Sequence, residues 1–300
     1  MSEPITRYVV GRREDGKRLD HYLHQRIPGL SRARIQLMIR ERVTLSWQER
    51  VRVATPVRAE GVIEIGWVPL NEEPLDITIP VLTRGDGWLA VDKPAGIPVH
   101  PVNRVRENTL IRMLRRQEQQ PDLRLAHRLD RETSGALLVA EDAATARQLS
   151  RAFAKGQMRK EYLAWLQGEL ADDEGVVDQP IGNDEASPIY VKLKTGCGKP
   201  ARTRFRVERR EVGRTLVRMF PATGRRHQLR LHALALGHPI LGDILYGRDE
   251  QDYLAMVAGD DPRPGRNEPL RQLLHCARMA LAADDGPTLD VHAPLPSDMR

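Results

Sequence analysis

The chain has 300 residues, enough for two domains or one large domain with an appendage, and 40% are hydrophobic, enough for a sizeable core. Lysine and arginine number 47 against 41 acidic residues, a net charge of +6 in which arginine predominates, and this suits a polyanionic partner met through guanidinium groups. Two distant cysteines (Cys197 and Cys276), an aromatic content of 4%, no apolar leader and no apolar run of 18 residues argue against a disulfide framework, a CxxC zinc site, a many-platform single-strand binder, secretion and a membrane span; they point to a cytoplasmic protein.

Residues 1–66 read as a small α/β module. Leu19, Tyr22, Leu23 and Ile27 recur at helical spacing, and Pro28-Gly29 ends that helix. Ser31 is placed to cap a second helix from Arg32 to about Arg40, with Ile35, Met38 and Ile39 on its apolar side. Arg32 and Arg34 open that helix, where side chains and helix N-terminus together suit phosphate. Short strands follow at Val43-Thr44-Leu45 and Gly61-Val62-Ile63-Glu64-Ile65. Residues 67–79, with two prolines and an acidic pair, are expected to be a linker.

From residue 80 to 300 apolar runs alternate with turns and helical stretches. The runs are Trp88 to Val91, Gly135 to Ala140, Tyr162 to Leu166 and Thr215 to Phe220. Asp142 suits the cap of a helix whose Ala146, Leu149 and Phe153 share a face, and His227 to Leu236 reads as another helix. Residues 248–269, polar and rich in Asp, Arg, Pro and Gly, are expected to be an insertion loop. The mixture predicts an α+β domain.

The most informative stretch is His127-Arg128-Leu129-Asp130-Arg131-Glu132-Thr133-Ser134-Gly135. Its carboxylate, Asp130, lies between two arginines, ahead of turn formers and a buried-strand run. Neighbouring positive charge favours the ionised form, which can be a nucleophile or a base. The same pattern also suits a turn cap or a surface ion pair.

Together with three further segments, HRLDRETSG resembles the RluA-type pseudouridine synthases. Val91-Asp92-Lys93-Pro94-Ala95-Gly96-Ile97-Pro98-Val99-His100-Pro101 is similar to that family's first motif, and Lys160-Glu161-Tyr162-Leu163-Ala164 to its tyrosine-bearing strand. Thr223-Gly224-Arg225-Arg226-His227-Gln228-Leu229-Arg230-Leu231-His232, continued by Gly237 to Asp243 and Tyr246-Gly247, is similar to its third motif. The likeness spans residues 80–295 in order. It implies a mainly antiparallel sheet and isomerisation of uridine to pseudouridine in structured RNA, with neither metal nor cofactor. It further implies that Asp130 is the catalytic carboxylate, that Arg230 pairs with it, and that Tyr162 stacks on the target base. Leu229 would wall the pocket, and Arg128 would fill the space of a flipped uridine. Lys93, Arg225 and Arg226 are candidates for phosphate contact. Arg226 stands where the family commonly has Thr or Ser. The N-terminal module resembles an RNA-binding module of a small-subunit ribosomal protein, except that Ser46-Trp47-Gln48-Glu49 replaces its usual Asn-Gly-Lys turn.

The expected substrate is large-subunit ribosomal RNA, with transfer RNA as the alternative, acted on by a monomer without membrane association. A non-catalytic RNA-binding ribosome-assembly factor and a nucleoside hydrolase are the rivals from other classes. Without the family likeness, the residues alone reach only a basic, cytoplasmic α+β protein with an ionised aspartate on a loop.

Overall fold

The computed structural model describes residues 5–27, 32–66, 72–102, 105–189, 191–258, 269, 271–281 and 289–300. The chain divides into two compact units, Met1–Asn71 and Glu72–Arg300.

The first unit contains β1 (Ile5–Val9), α1 (Leu19–Arg26), α2 (Arg32–Arg42), β2 (Val43–Leu45) and β3 (Val62–Gly66). Its antiparallel sheet runs β1-β3-β2. The helical spacing read from the sequence buries Leu19, Tyr22 and Leu23 against Ile35, Met38 and Ile39. Strand alternation turns Ile63 and Ile65 into the same core. β1 adds an edge strand that sequence periodicity does not mark. Pro28, Gly29 and Ser31 lie outside the described residues, as does the side chain of Arg34. The turn that departs from the family pattern folds back on the module: Trp47 packs against the core, and a Cβ at Gly61 would collide with its ring.

The second unit contains β4 (Val81–Gly85), β5 (Trp88–Lys93), α3 (Leu110–Gln117), β6 (Arg124–Leu125), β7 (Ser134–Ala140), α4 (Ala143–Ala154), β8 (Met158–Gln167), β9 (Glu174–Asp178), β10 (Ile181–Asn183), β11 (Leu193–Thr195), β12 (Arg202–Glu211), β13 (Arg214–Pro221), α5 (Gln228–Ala235), α6 (Glu250–Ala258), β14 (Leu274–Leu281) and β15 (Leu289–His292). The main sheet runs β4-β5-β7-β14-β8-β13-β12-β9, with β6 beside β7 and β15 beside β14. Its pairings are antiparallel except at the β7–β14 seam, where His275 faces Ser134 and Cys276 faces Gly135. The fold is therefore α+β, as expected. Every residue of β7 is buried, which explains an apolar run without alternation. Asp142 caps α4 by accepting from the backbone N–H groups of Ala144 and Thr145.

Two expectations need correction. Residues 67–71 of the proposed linker lie outside the described residues, but 72–79 are bound to the second unit. The Glu72 carboxylate accepts from the backbone N–H groups of Arg106, Glu107 and Asn108, and Gln117 pairs with both backbone groups of the buried Ile79. The proposed insertion loop contains α6, whose Tyr253 packs on a small core with Leu245 and Tyr246. Residues 259–268 and 270 of that stretch lie outside the described residues.

The β7–β14 seam sets the geometry of everything that follows. Gly135 has φ +108°, and a Cβ there would run into the backbone of Cys276. Only glycine lets the two strands approach so closely. The loop that precedes β7 is thereby anchored at one point on the sheet.

Candidate active site

The residues His127 to Thr133 enter β7 from a cleft of about 600 Å³. Asp130 starts a tight turn in which its carbonyl accepts from the N–H of Thr133, 3.1 Å away. The turn is braced from behind. Lys93 donates to the carbonyls of Pro94, Arg131 and Thr133 at 2.8, 2.8 and 2.9 Å, and Gln272 donates to the hydroxyl of Thr133. Lys93 is fully buried, and burial pushes its ammonium down to about 7. It is not available to phosphate, and that expectation is corrected: the lysine is a strut under the loop. His127 is a second strut. Its Nε2 accepts from the N–H of Leu138, its ring stacks on Phe153 at 4.4 Å, and burial pushes it down to about 3, so it is neutral near pH 7.

Asp130 lines the cleft and keeps 22% of its side chain exposed. Burial alone would raise its pKa. Surrounding positive charge outweighs that, and the carboxyl is held below its ordinary value. The imidazole of His227 is itself pushed down to about 4 by burial, so near neutrality the guanidinium groups of Arg230 and Arg128 carry this effect. Only one of the two flanking arginines takes part. Arg131 donates to the carbonyl of Gly96 and lies 3.4 Å from Glu132.

Arg230, from the first turns of α5, reaches Asp130 with Nη1 at 3.3 Å. Its other two nitrogens make a fork with Asp243 at 2.6 and 2.8 Å. Asp243 is buried, and its Oδ1 also accepts from the N–H groups of Leu245 and Tyr246. The ring of Tyr246 lies under the guanidinium, 4.9 Å from its centroid, and the hydroxyl pairs with Nδ1 of His227 at 2.8 Å. His227 holds a left-handed φ of +56° just before α5, a conformation uncommon for a non-glycine residue. Gln228 then ties down the loop ahead of it, accepting from Thr223 and the N–H of Arg225.

Tyr162, on β8 beside Cys276 of β14, and Leu229 are buried and line the same cleft. Burial holds the Tyr162 hydroxyl well above its usual range, so it stays protonated. Arg128 is exposed on the rim and has no hydrogen-bond or ion-pair partner among the described residues. Arg225 and Arg226 also line the cleft, donating to the carbonyls of Pro200 and Val191. Lys160 joins them, half-buried, with its ammonium 3.4 Å from the carbonyl of Thr223. Asp130, Arg230, Tyr162, Leu229, Arg128, Arg225 and Arg226 thus share one cleft. Arg32 belongs to the first unit, where it reaches the buried Asp20 at 3.3 Å and stays half exposed. His227, Gln228, Asp243, Tyr246 and Lys160 also belong to the site, although their motifs alone assign them no role.

The RNA pseudouridylate synthase family model matches residues 87–235, a span that includes the whole Asp130 loop, β8 and α5 through Arg230. A ribosomal large subunit pseudouridine synthase D of Nitrosomonas europaea is 33% identical over 297 residues, covering 95% of this chain and 83% of that protein. The chain belongs to the RNA pseudouridine synthases. A dual-specificity RNA pseudouridine synthase RluA of Yersinia pestis is 41% identical over 176 residues, covering 58% of this chain and 85% of its own. The solved structure of human RNA pseudouridylate synthase domain containing 1 superposes with a TM-score of 0.59 at 29% identity, covering 74% of this synthase and 86% of that chain. The synthase is an isomerase that acts on RNA.

Proposed function

We propose that this synthase converts uridine to pseudouridine in large-subunit ribosomal RNA, with Asp130 as the catalytic carboxylate. The observation that carries the reading is a carboxylate held ionised against a clamped arginine, in a cleft that also holds a protonated tyrosine. In the reaction the bond from ribose C1′ to uracil N1 breaks and a bond from C1′ to C5 forms. C5 gives up its proton and N1, freed of the sugar, gains one, so nothing is oxidised or consumed. An ionised aspartate acts at the ribose, Tyr162 and Leu229 flank the loose base, and Arg230 keeps the carboxylate charged through the cycle. Arg128 occupies the stack that the uridine leaves, and Arg225 and Arg226 meet the backbone. Arg32 and Arg34 of the first unit add affinity for RNA. The printed names of several relatives, including the Nitrosomonas protein and a ribosomal large subunit pseudouridine synthase C of Haemophilus ducreyi, support ribosomal RNA as the substrate. We further propose a cytoplasmic monomer.

The test is incubation with unmodified transcripts of large-subunit ribosomal RNA, transfer RNA transcripts and free uridine. Pseudouridine in the ribosomal transcript alone is the expected result. Pseudouridine in transfer RNA alone would move the substrate. Bound but unmodified RNA would indicate a binding factor, and free uracil from uridine a hydrolase.

A further inference from the structure

Among the described residues, most arginines are committed to partners. On β12 and β13, Arg202, Arg206, Arg209, Arg210, Arg214 and Arg218 all form ion pairs. Those six charges are neutralised by carboxylates, while Arg204 of β12 lies over the ring of Phe220. The outer side of α4 is different. Arg147, Arg151 and Lys155 follow one another at four-residue intervals and are exposed, and Arg124 of β6 lines a groove of about 440 Å³ together with the two arginines. Arg124, Arg151 and Lys155 have no hydrogen-bond or ion-pair partner among the described residues, and Arg147 makes no direct hydrogen bond, its charge acting only on the nearby Asp142 carboxylate. The groove floor is made of small side chains, Ala143, Ala146, Ser150 and Ala154.

We infer that this groove is a binding track for the phosphate backbone of the RNA that flanks the target nucleotide. The inference rests on the reading of this chain as an RNA-modifying enzyme and adds a surface that the family match does not assign. Three observations carry it. Unpaired cations are what a polyanion exchanges for its counterions, whereas paired ones would first have to give up a carboxylate. Cations four residues apart on a helix rise about 6 Å per step, comparable with the separation of successive phosphates along an RNA strand. A small-residue floor lets a backbone come close enough for direct contact with the guanidinium groups that line the groove.

The groove also leads to the reaction centre. Ala154 lines both the groove and the catalytic cleft, and Lys155 lines the cleft. Phe153 stacks on His127, and Ser150 donates to the carbonyl of Ala126. The helix that carries the track is thus fixed to the loop that carries Asp130. An RNA strand lying along α4 enters the cleft that Lys155 and Arg128, both free of partners among the described residues, also line.

The test uses the full-length protein and a transcript of large-subunit ribosomal RNA. The double variant Arg147→Ala/Arg151→Ala removes two exposed charges and should raise KM on the order of tenfold or more at moderate salt, while the single-turnover rate at saturating RNA stays within about twofold. The slope of log affinity against log salt should flatten by about 1.4, two contacts at roughly 0.7 each for single-stranded RNA. Arg147→Lys/Arg151→Lys keeps the charge and should keep the slope. Arg206→Ala/Arg209→Ala removes two paired arginines and should leave both KM and slope unchanged. An unchanged KM and slope in the α4 alanine pair, in a preparation whose wild type forms pseudouridine, would overturn the track and leave the enzymatic reading intact. A slope that falls equally in the lysine pair, or in the β12 pair, would overturn it as well. If the wild type formed no pseudouridine in any RNA, the enzymatic reading would fall first.

Discussion

Replacing Asp243 by Asn tests whether the arginine beside Asp130 works because it is clamped. In the wild type the Asp243 carboxylate accepts four hydrogen bonds, three at Oδ1 and the Nε donor of Arg230 at Oδ2, 2.6 Å away. An asparagine that keeps its carbonyl at the Oδ1 position preserves three of them and turns an NH2 group toward Arg230 Nε, donor against donor. One charge-assisted bond is lost, about 1.5–3 kcal/mol, and a buried guanidinium is left short of countercharge. The alternative flip keeps one bond and loses three. The expected destabilisation is therefore about 3 kcal/mol, which for a unit of this size lowers Tm by roughly 6–12 °C. Freed from the fork, Arg230 no longer holds the Asp130 carboxylate at a defined angle, and kcat should fall on the order of 10²-fold, about 2.7 kcal/mol of barrier. The assay is tritium release from RNA labelled at uridine C5, run well below the variant's Tm with RNA in excess. A kcat within twofold of wild type alongside the lowered Tm would refute the reasoning, because Asp243 would then hold the fold without positioning the arginine.

Two further predictions follow from the loop and its struts. His127, His227 and His275 are pushed by burial to about 3, 4 and 4, below the 6.5 of an unfolded histidine, so the unfolded chain takes up protons that the folded chain refuses. Stability should therefore fall as pH drops from about 6.5 toward 4, and His127→Gln, which keeps an acceptor for Leu138, should make that decline shallower by up to about 1.4 kcal/mol per pH unit; a denaturant titration series across pH checks it, and an unaltered slope would show that His127 carries no such load. Arg128→Ala should reduce the rate on folded RNA more than on a short unstructured substrate, since opening a stack costs a few kcal/mol only where a stack exists; equal losses on both would assign Arg128 to chemistry or general binding.

The parts of the site that the sequence exposed are those whose chemistry is local. Asp130 could be picked out because a carboxylate followed by turn formers and a buried-strand run is visible within nine residues. The source of its ionisation was only half visible. Arg128 contributes, but Arg131 faces Gly96, and the closest cation is Arg230, 100 positions away. No periodicity reports that distance; the family likeness supplied it. Asp243 stayed unassigned although its motif was recognised, because its role depends on a fork with α5 that exists only once the chain has folded. The role of Lys93 is hidden for a physical reason. A lysine ahead of Pro-Ala-Gly looks like an exposed turn residue, and nothing in the sequence shows that three carbonyls converge on its ammonium. The fold shows the same division: β3, β7 and α4 announce themselves through alternation, an unbroken apolar run and a cap, whereas α6 was hidden by its polar neighbours.

The central claim, that Asp130 is the catalytic carboxylate, is tested most directly by Asp130→Asn. The substitution keeps shape and removes the charge that Arg230 faces at 3.3 Å. Tritium release from C5-labelled RNA should vanish, while affinity for the same RNA stays within a few-fold of wild type. Turnover near the wild-type rate in that variant would contradict the account.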